Sequence, residues 1–200
     1  MPPKPKYAAD DILDAAVSLT RERGIAVLSA RTLAIRLGCS TAPIFRHYES
    51  MECLLECVME HIINEFVSVV SSSSGEDAIT SVGNGWLRFA AEEPRLYEAL
   101  FLRMHPWSRK WLPVRESWAR HLGEESRYAE LCLASRNAIV GRVCTVLHGI
   151  GLELWSGRIQ SRDYALLIRE LVMPVVDAAV EQEWFLDPHH VSQGSDTASR

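Results

Sequence analysis

Residues 29–48 read Ser29-Ala-Arg-Thr-Leu-Ala-Ile-Arg-Leu-Gly-Cys-Ser-Thr-Ala-Pro-Ile-Phe-Arg-His-Tyr48, and the architecture follows from how they are parsed. Ser29 is a good helix N-cap, because its side-chain oxygen can accept from an early backbone N–H. The helix it starts, Ala30–Leu37, stops at Gly38, a residue suited to the left-handed C-terminal turn. Ser40 is read as a second N-cap, opening a short helix over Thr41–His47. Pro43 lies in its first turn, where a missing N–H costs little. The result is two short helices joined by a tight glycine turn.

An amphipathic helix precedes the pair over Ala8–Arg23. Ile12, Ala16 and Leu19 form its apolar stripe, with Asp10, Asp11 and Asp14 near its start and Arg21 and Arg23 near its end, ahead of Gly24. A long helix follows over residues 51–70. Ser50 caps it, and Leu54, Leu55, Val58, Met59, Ile62, Ile63 and Phe66 line its apolar face. Three helices in this order make a helix-turn-helix layout. The last short helix must enter a major groove about 12 Å wide and offer hydrogen-bond donors to bases and phosphates. Ser40, Thr41, Arg46 and His47 can donate there, and Tyr48 adds a phenol.

The same residues resemble the TetR-type (tetracycline-repressor-like) transcriptional regulators. The resemblance rests on Gly24, the run from Ser29 to Ser40, Ile44-Phe-Arg-His-Tyr48, Ser50 and Leu54-Leu55, about 45 residues in order and spacing. It implies an all-α chain with a helix-turn-helix head followed by a helical effector-binding and dimerisation domain. It further implies that Arg31 reaches a groove edge, that Thr41, Ala42 and Pro43 lie at the groove floor, and that His47 and Tyr48 bind phosphate. Ser29 and Arg46 complete that surface. Two departures bear on affinity. Phe45 stands where the family usually has Tyr, and Met51 where it usually has Lys. Losing one phosphate contact flattens the salt dependence of binding by roughly 0.9 in slope, and Lys4 and Lys6 are the cations placed to compensate.

The 200 residues carry a net charge of −5, which by itself argues against a nucleic-acid ligand. The charge is uneven, however. Residues 1–50 hold seven bases and five acids, so the head is +2 and the rest of the chain −7. With 48% hydrophobic and 24% charged residues, the composition excludes a disordered or low-complexity chain. No apolar h-region opens the sequence and the longest apolar runs are interrupted by Arg, Glu or His, so a cytoplasmic protein without a membrane segment is expected. The five cysteines include no CxxC pair and read as free thiols.

Beyond a serine-rich break at 71–75, helices are expected at about 76–92, 95–104, 108–123, 127–156 and 161–185, the 127–156 stretch being one helix or two. The organisation expected is a head over 1–50, a connecting helix over 51–70, an effector and dimerisation domain over 71–185, and a flexible tail over 186–200. All six tryptophans lie after residue 85, as do Phe89, Tyr97 and Phe101. Trp86, Phe89, Tyr97, Phe101 and Met104 are candidates to line a hydrophobic effector cavity. Trp107, Trp111, Trp118, His121 and His148 complete that set. Family members dimerise through their last two long helices, and the resemblance implies a homodimer here. The small residues Ala138, Gly141, Gly149 and Gly151 and the apolar run from Tyr164 to Val180 are suitable material. Such a dimer places its reading helices one DNA turn apart, about 34–36 Å, on a palindromic double-stranded operator.

Two other readings compete. Cys53, Cys57 and His61 recur at i, i+4, i+8 on the connecting helix, where a metal or redox switch would couple to the head. A DNA-binding chromosome-organising protein without an effector is the second. No Walker loop, GxSxG, HExxH or dinucleotide fingerprint is present, so neither an enzyme nor a cofactor is expected.

Overall fold

A computed structural model describes residues 7–103, 112–160 and 162–186. The described residues are helical and contain no strand. The elements run α1 (Ala9–Arg23), α2 (Ala30–Leu37), α3 (Ala42–His47), α4 (Met51–Ser71), α5 (Ala78–Glu92), α6 (Pro94–Tyr97), a π turn over Glu98–Leu102, α7 (Leu112–Leu122), α8 (Leu133–Trp155), α9 (Tyr164–Leu167), a second π turn over Ile168–Val172, and α10 (Met173–Leu186). They form two compact units. One comprises residues 1–68 and 89–110, the other residues 69–88 and 111–200.

In the first unit, α1 packs on α2, α3 and α6. Ile12, Ala16, Leu33, Ile44 and Leu54 are fully buried in its core or nearly so, and each large side chain contributes about 1.5–3 kcal/mol by leaving water. Ser29 caps α2 as expected. The Thr32 amide donates to Ser29 Oγ at 3.2 Å, and the Ser29 amide donates to Thr32 Oγ1 at 2.9 Å. Gly38 ends the helix at φ +65°, a conformation that a Cβ disfavours. The cap of α3 differs from expectation. Ser40 lies outside the helix, and the N-cap is Thr41, which makes no side-chain cap bond. Thr41 has helical angles (φ −72°, ψ −14°). A capping hydroxyl needs an extended N-cap to reach back over the first turn.

The second unit is built around α8, which packs on α7 and α10 and buries Ile139, Val140, Val143, Cys144, Leu147 and Ile150. The helix expected over 127–156 starts only at Leu133. Residues 123–131 form turns and a bend, and the Cys132 thiol accepts from the Ser135 amide as an N-cap. The helix expected over 161–185 is broken by the π turn at Ile168–Val172. Pro174 follows directly, and the N–H it lacks is the one a regular ladder would donate to Glu170. Gly85 sits where a Cβ would lie 2.5 Å from Val70 Cα, so glycine alone permits that approach of backbones.

The sequence shows no uninterrupted apolar run of spanning length, yet α8 is long and apolar enough to cross a membrane by length and composition. It carries Arg136, Arg142 and Glu153, and its buried face belongs to the core of the second unit. The tail beyond Leu186 lies outside the described residues.

Candidate nucleic-acid interface

The residues predicted for DNA are gathered on one element pair. Ser29 and Arg31 stand at the start of α2, and Ser40, Thr41, Ala42, Pro43 and Arg46 follow the turn. All are exposed except Pro43, which is half-buried. Below them the pair is anchored by Leu33 and Ile44, both fully buried. Anchoring residues and exposed residues alternate on these helices as a rigid reading element requires.

The cations of this unit divide into two kinds. Arg36 is committed. Its guanidinium forks onto both carboxylate oxygens of Glu22, each at 2.6 Å, and also donates to Ser18 Oγ at 2.9 Å. The fork in turn holds the Glu22 carboxyl below the usual range. Arg21 is likewise committed to Glu65 and Glu93. Arg31 and Arg46 form no ion pair among the described residues and are exposed. A guanidinium without an acid partner retains its five donors for phosphate or for guanine O6 and N7.

His47 and Tyr48 already have internal partners. His47 Nε2 donates to the Tyr7 carbonyl at 3.1 Å, leaving Nδ1. The Tyr48 hydroxyl donates to the Ala9 carbonyl at 3.0 Å, and its pKa is raised, first by burial. Its single proton therefore ties α3 to the first turn of α1, a use that the motif did not suggest. Tyr7 adds a parallel tie by donating to the Leu37 carbonyl at the end of α2. Two apolar side chains stand out on the same unit, Ile35 at 71% and Phe45 at 49% exposure. Lys4 and Lys6 lie outside the described residues.

The effector candidates are not one set. Phe89, Tyr97 and Phe101 belong to the first unit, where Phe66 meets Phe89 edge-on at 5.3 Å and Phe101 at 5.2 Å. Tyr97 lies 5.0 Å from Phe101. Phe66, Phe89 and Tyr97 are buried there, and Phe101 is half-buried. In the second unit, Trp86 and Trp118 lie 6.3 Å apart. Trp118 also lines a small apolar cavity of about 20 Å³ with Ile79, Val82, Leu122, Val143 and Cys144. Burial pushes the Cys144 thiol up to about 12, so it is a neutral wall group. His148 is half-buried, with its pKa lowered by burial. His121 is exposed and its Nδ1 donates to the Ser117 carbonyl at 2.8 Å. Met104, Trp107 and Trp111 lie outside the described residues. The lining from α5 was missed in the sequence, although Ala78, Ile79 and Val82 have the i, i+3/i+4 spacing that marks one face.

Cys53, Cys57 and His61 are half-buried along α4. Among the described residues no group of three or more His, Cys, Asp or Glu side chains is placed to hold a metal ion, so the metal reading has no geometric support. Helical spacing put these residues on one stripe, but a shared stripe does not bring three donors to one point.

Residues 12–58 match the sequence model of the family described as bacterial regulatory proteins, tetR family, and this segment spans α1 to the first turns of α4. That match covers the helix-turn-helix head of this chain. An uncharacterized HTH-type transcriptional regulator, YobS, of Bacillus subtilis (strain 168) is 21% identical over 98 residues, 47% of this chain and 51% of that one. The chain thus spans about half the length of the curated relative it matches. Three solved structures share the fold. A putative TetR-family transcriptional regulator from Vibrio parahaemolyticus superposes with a TM-score of 0.59 at 18% identity, covering 86% of this chain and 96% of that one. A single-substitution TetR variant from Acinetobacter baumannii AYE, in complex with minocycline, gives 0.56 at 14%, covering 90% and 98%. BioQ with its natural double-stranded DNA operator gives 0.51 at 19%, covering 86% and 99%.

Proposed function

We propose that this chain is a TetR-family DNA-binding transcriptional regulator that reads a palindromic operator through α3 as a homodimer, acts as a repressor and is released by a small hydrophobic effector. The observation that carries this reading is the conjunction on α2 and α3. The family match covers the helix-turn-helix, and two exposed arginines, Arg31 and Arg46, stand there without an acid partner among the described residues while Arg21 and Arg36 are paired. BioQ, which shares the fold, is known with its DNA operator.

The dimer has support in the second unit. A Cβ at Gly141 or Gly149 would meet nothing within 4 Å, and Leu166 and Leu171 are 40% and 45% exposed. A second copy covering these positions removes apolar surface from water and lets helices approach closely. The effector reading is supported by the apolar lining at Trp118 and Cys144 and by the minocycline complex of a protein sharing the fold. At about 20 Å³ the cavity holds about one water-sized sphere. An effector therefore enters only as the walls part, and that displacement is what would shift the dimer between binding-competent and released states.

The test begins with selection of bound fragments from random and genomic DNA, followed by anisotropy titrations. A selected inverted repeat, and a loss of about 1–3 kcal/mol on Arg31→Ala or Arg46→Ala, are expected. Absence of any enriched DNA sequence overturns the reading. Recovery of many dispersed sites without a motif would favour an architectural role instead. Tryptophan fluorescence during titration of small hydrophobic compounds tests the effector.

A further inference from the structure

Arg21 occupies the last turn of α1, and three segments distant in sequence meet at its guanidinium. Its Nη2 donates to both Glu65 oxygens of α4, at 2.6 and 2.7 Å. Its Nε donates to Glu93 Oε2 at 3.0 Å, and Glu93 is the residue joining α5 to α6. The three side chains are partly shielded, at 39%, 26% and 28% exposure. The neighbourhood also makes contacts independent of charge. Arg95 Cδ lies 3.8 Å from where a Cβ of Gly24 would be, and α6 packs along α1.

An isolated surface ion pair contributes little. This arrangement is different, because one cation stands between two carboxylates. If Arg21 is removed, Glu65 and Glu93 are left facing each other as like charges. The loss is then not of one bond but of the charge that holds α4 and the 93–97 segment together against α1. We propose that Arg21 is a positioning residue, a clamp that fixes the helix-turn-helix head on α4 and on the end of α5 and so sets operator affinity. The consequence for affinity rests on the DNA-binding reading above, whereas the clamp itself can be measured without DNA.

The experiment uses the full chain and four proteins: wild type, Arg21→Gln, Glu93→Gln and the neutral triple variant Arg21→Gln/Glu65→Gln/Glu93→Gln. Amide hydrogen exchange over residues 9–47 is followed at low and high salt. Expected are exchange at least tenfold faster in Arg21→Gln at low salt, a smaller effect in Glu93→Gln, and partial recovery in the triple variant, which has no carboxylates left to repel. High salt should narrow the gap between Arg21→Gln and the triple variant. Operator affinity of Arg21→Gln should fall by about tenfold while wild-type binding is intact. Equal exchange in all four proteins overturns the clamp. A triple variant no more protected than Arg21→Gln overturns the charge argument, since lost packing alone would behave that way. If wild type binds no DNA, the exchange arm still decides the clamp, and only the function proposed above fails.

Discussion

The two units of this chain are held by different means. In the first, short helices are ended by caps and glycine, and side chains tie one element to the next: Tyr48 to Ala9, Tyr7 to Leu37, Arg36 to Glu22, and Arg21 to Glu65 and Glu93. In the second, side-chain ties such as Arg127 to Asp177 and Arg142 to Gln182 also occur, but long helices meet mainly through apolar area and close backbone approach, as where α5 passes the end of α4 at Gly85. A short segment that must present side chains at fixed angles has little area to bury. It relies on directional bonds. The larger unit gains its stability from volume, and it tolerates irregular connections such as 123–131. The head is thus specified bond by bond and the second unit mainly by its packing.

Several substitutions can break that contrast. The largest effect is expected from Trp86→Ala. Trp86 is 1% exposed, and truncation of a buried aromatic costs about 3–5 kcal/mol, read as a shifted urea midpoint. If the second unit is held by volume, Trp86→Phe should lose far less than Trp86→Ala. Gly85→Ala comes next. The added methyl meets backbone at Val70, which cannot swing away as a side-chain tip can, and overpacking of this kind costs about 1–3 kcal/mol. A Gly85→Ala protein as stable as wild type would show that α4 and α5 are not in tight contact.

In the head, smaller changes should matter through geometry. Gly38→Ala places a Cβ in a left-handed residue at φ +65° with open space around it, a strain of about 1–2 kcal/mol, and Gly38→Asn should be milder. Ser29→Ala removes the reciprocal bonds with Thr32 and should cost about 1 kcal/mol. Circular dichroism in urea checks both. On the DNA-binding function proposed above, operator affinity should fall in parallel, because α2 positions α3.

The smallest effect concerns pH. Burial lowers the pKa of His148 below its ordinary value of 6.5, so the unfolded chain takes up a proton more readily than the folded one. Its contribution to stability is full above pH 6.5 and declines as pH falls through 6.5 toward the folded value. His148→Gln should flatten the stability profile over that window, and a variant retaining the wild-type slope would assign it elsewhere.

The head was legible in the sequence because its determinants are local. Ser29, Gly38 and Pro43 act through bonds to residues within a turn of themselves, so helix α2 appears with the bounds its sequence suggests. The same logic misplaced the cap of α3, since Ser40 and Thr41 are both capping residues and only backbone angles choose between them. The periodic apolar faces likewise marked α1 and α4, whereas the helix expected over 127–156 did not reveal the turns before Leu133.

The order of residues was enough to establish the helical class, the helix-turn-helix and the identity of the exposed arginines at its surface, all consequences of spacing over a few residues. Which cations remain available emerges only on folding. Arg21, Arg36, Arg31 and Arg46 are indistinguishable along the chain, yet among the described residues two are paired with acids and two are not. Folding also assigns Phe89 and Trp86, three residues apart on one helix, to different cores. The physical reason is that charge pairing and core membership depend on through-space distance between segments, and separations of 44 and 72 residues leave no trace in a local pattern.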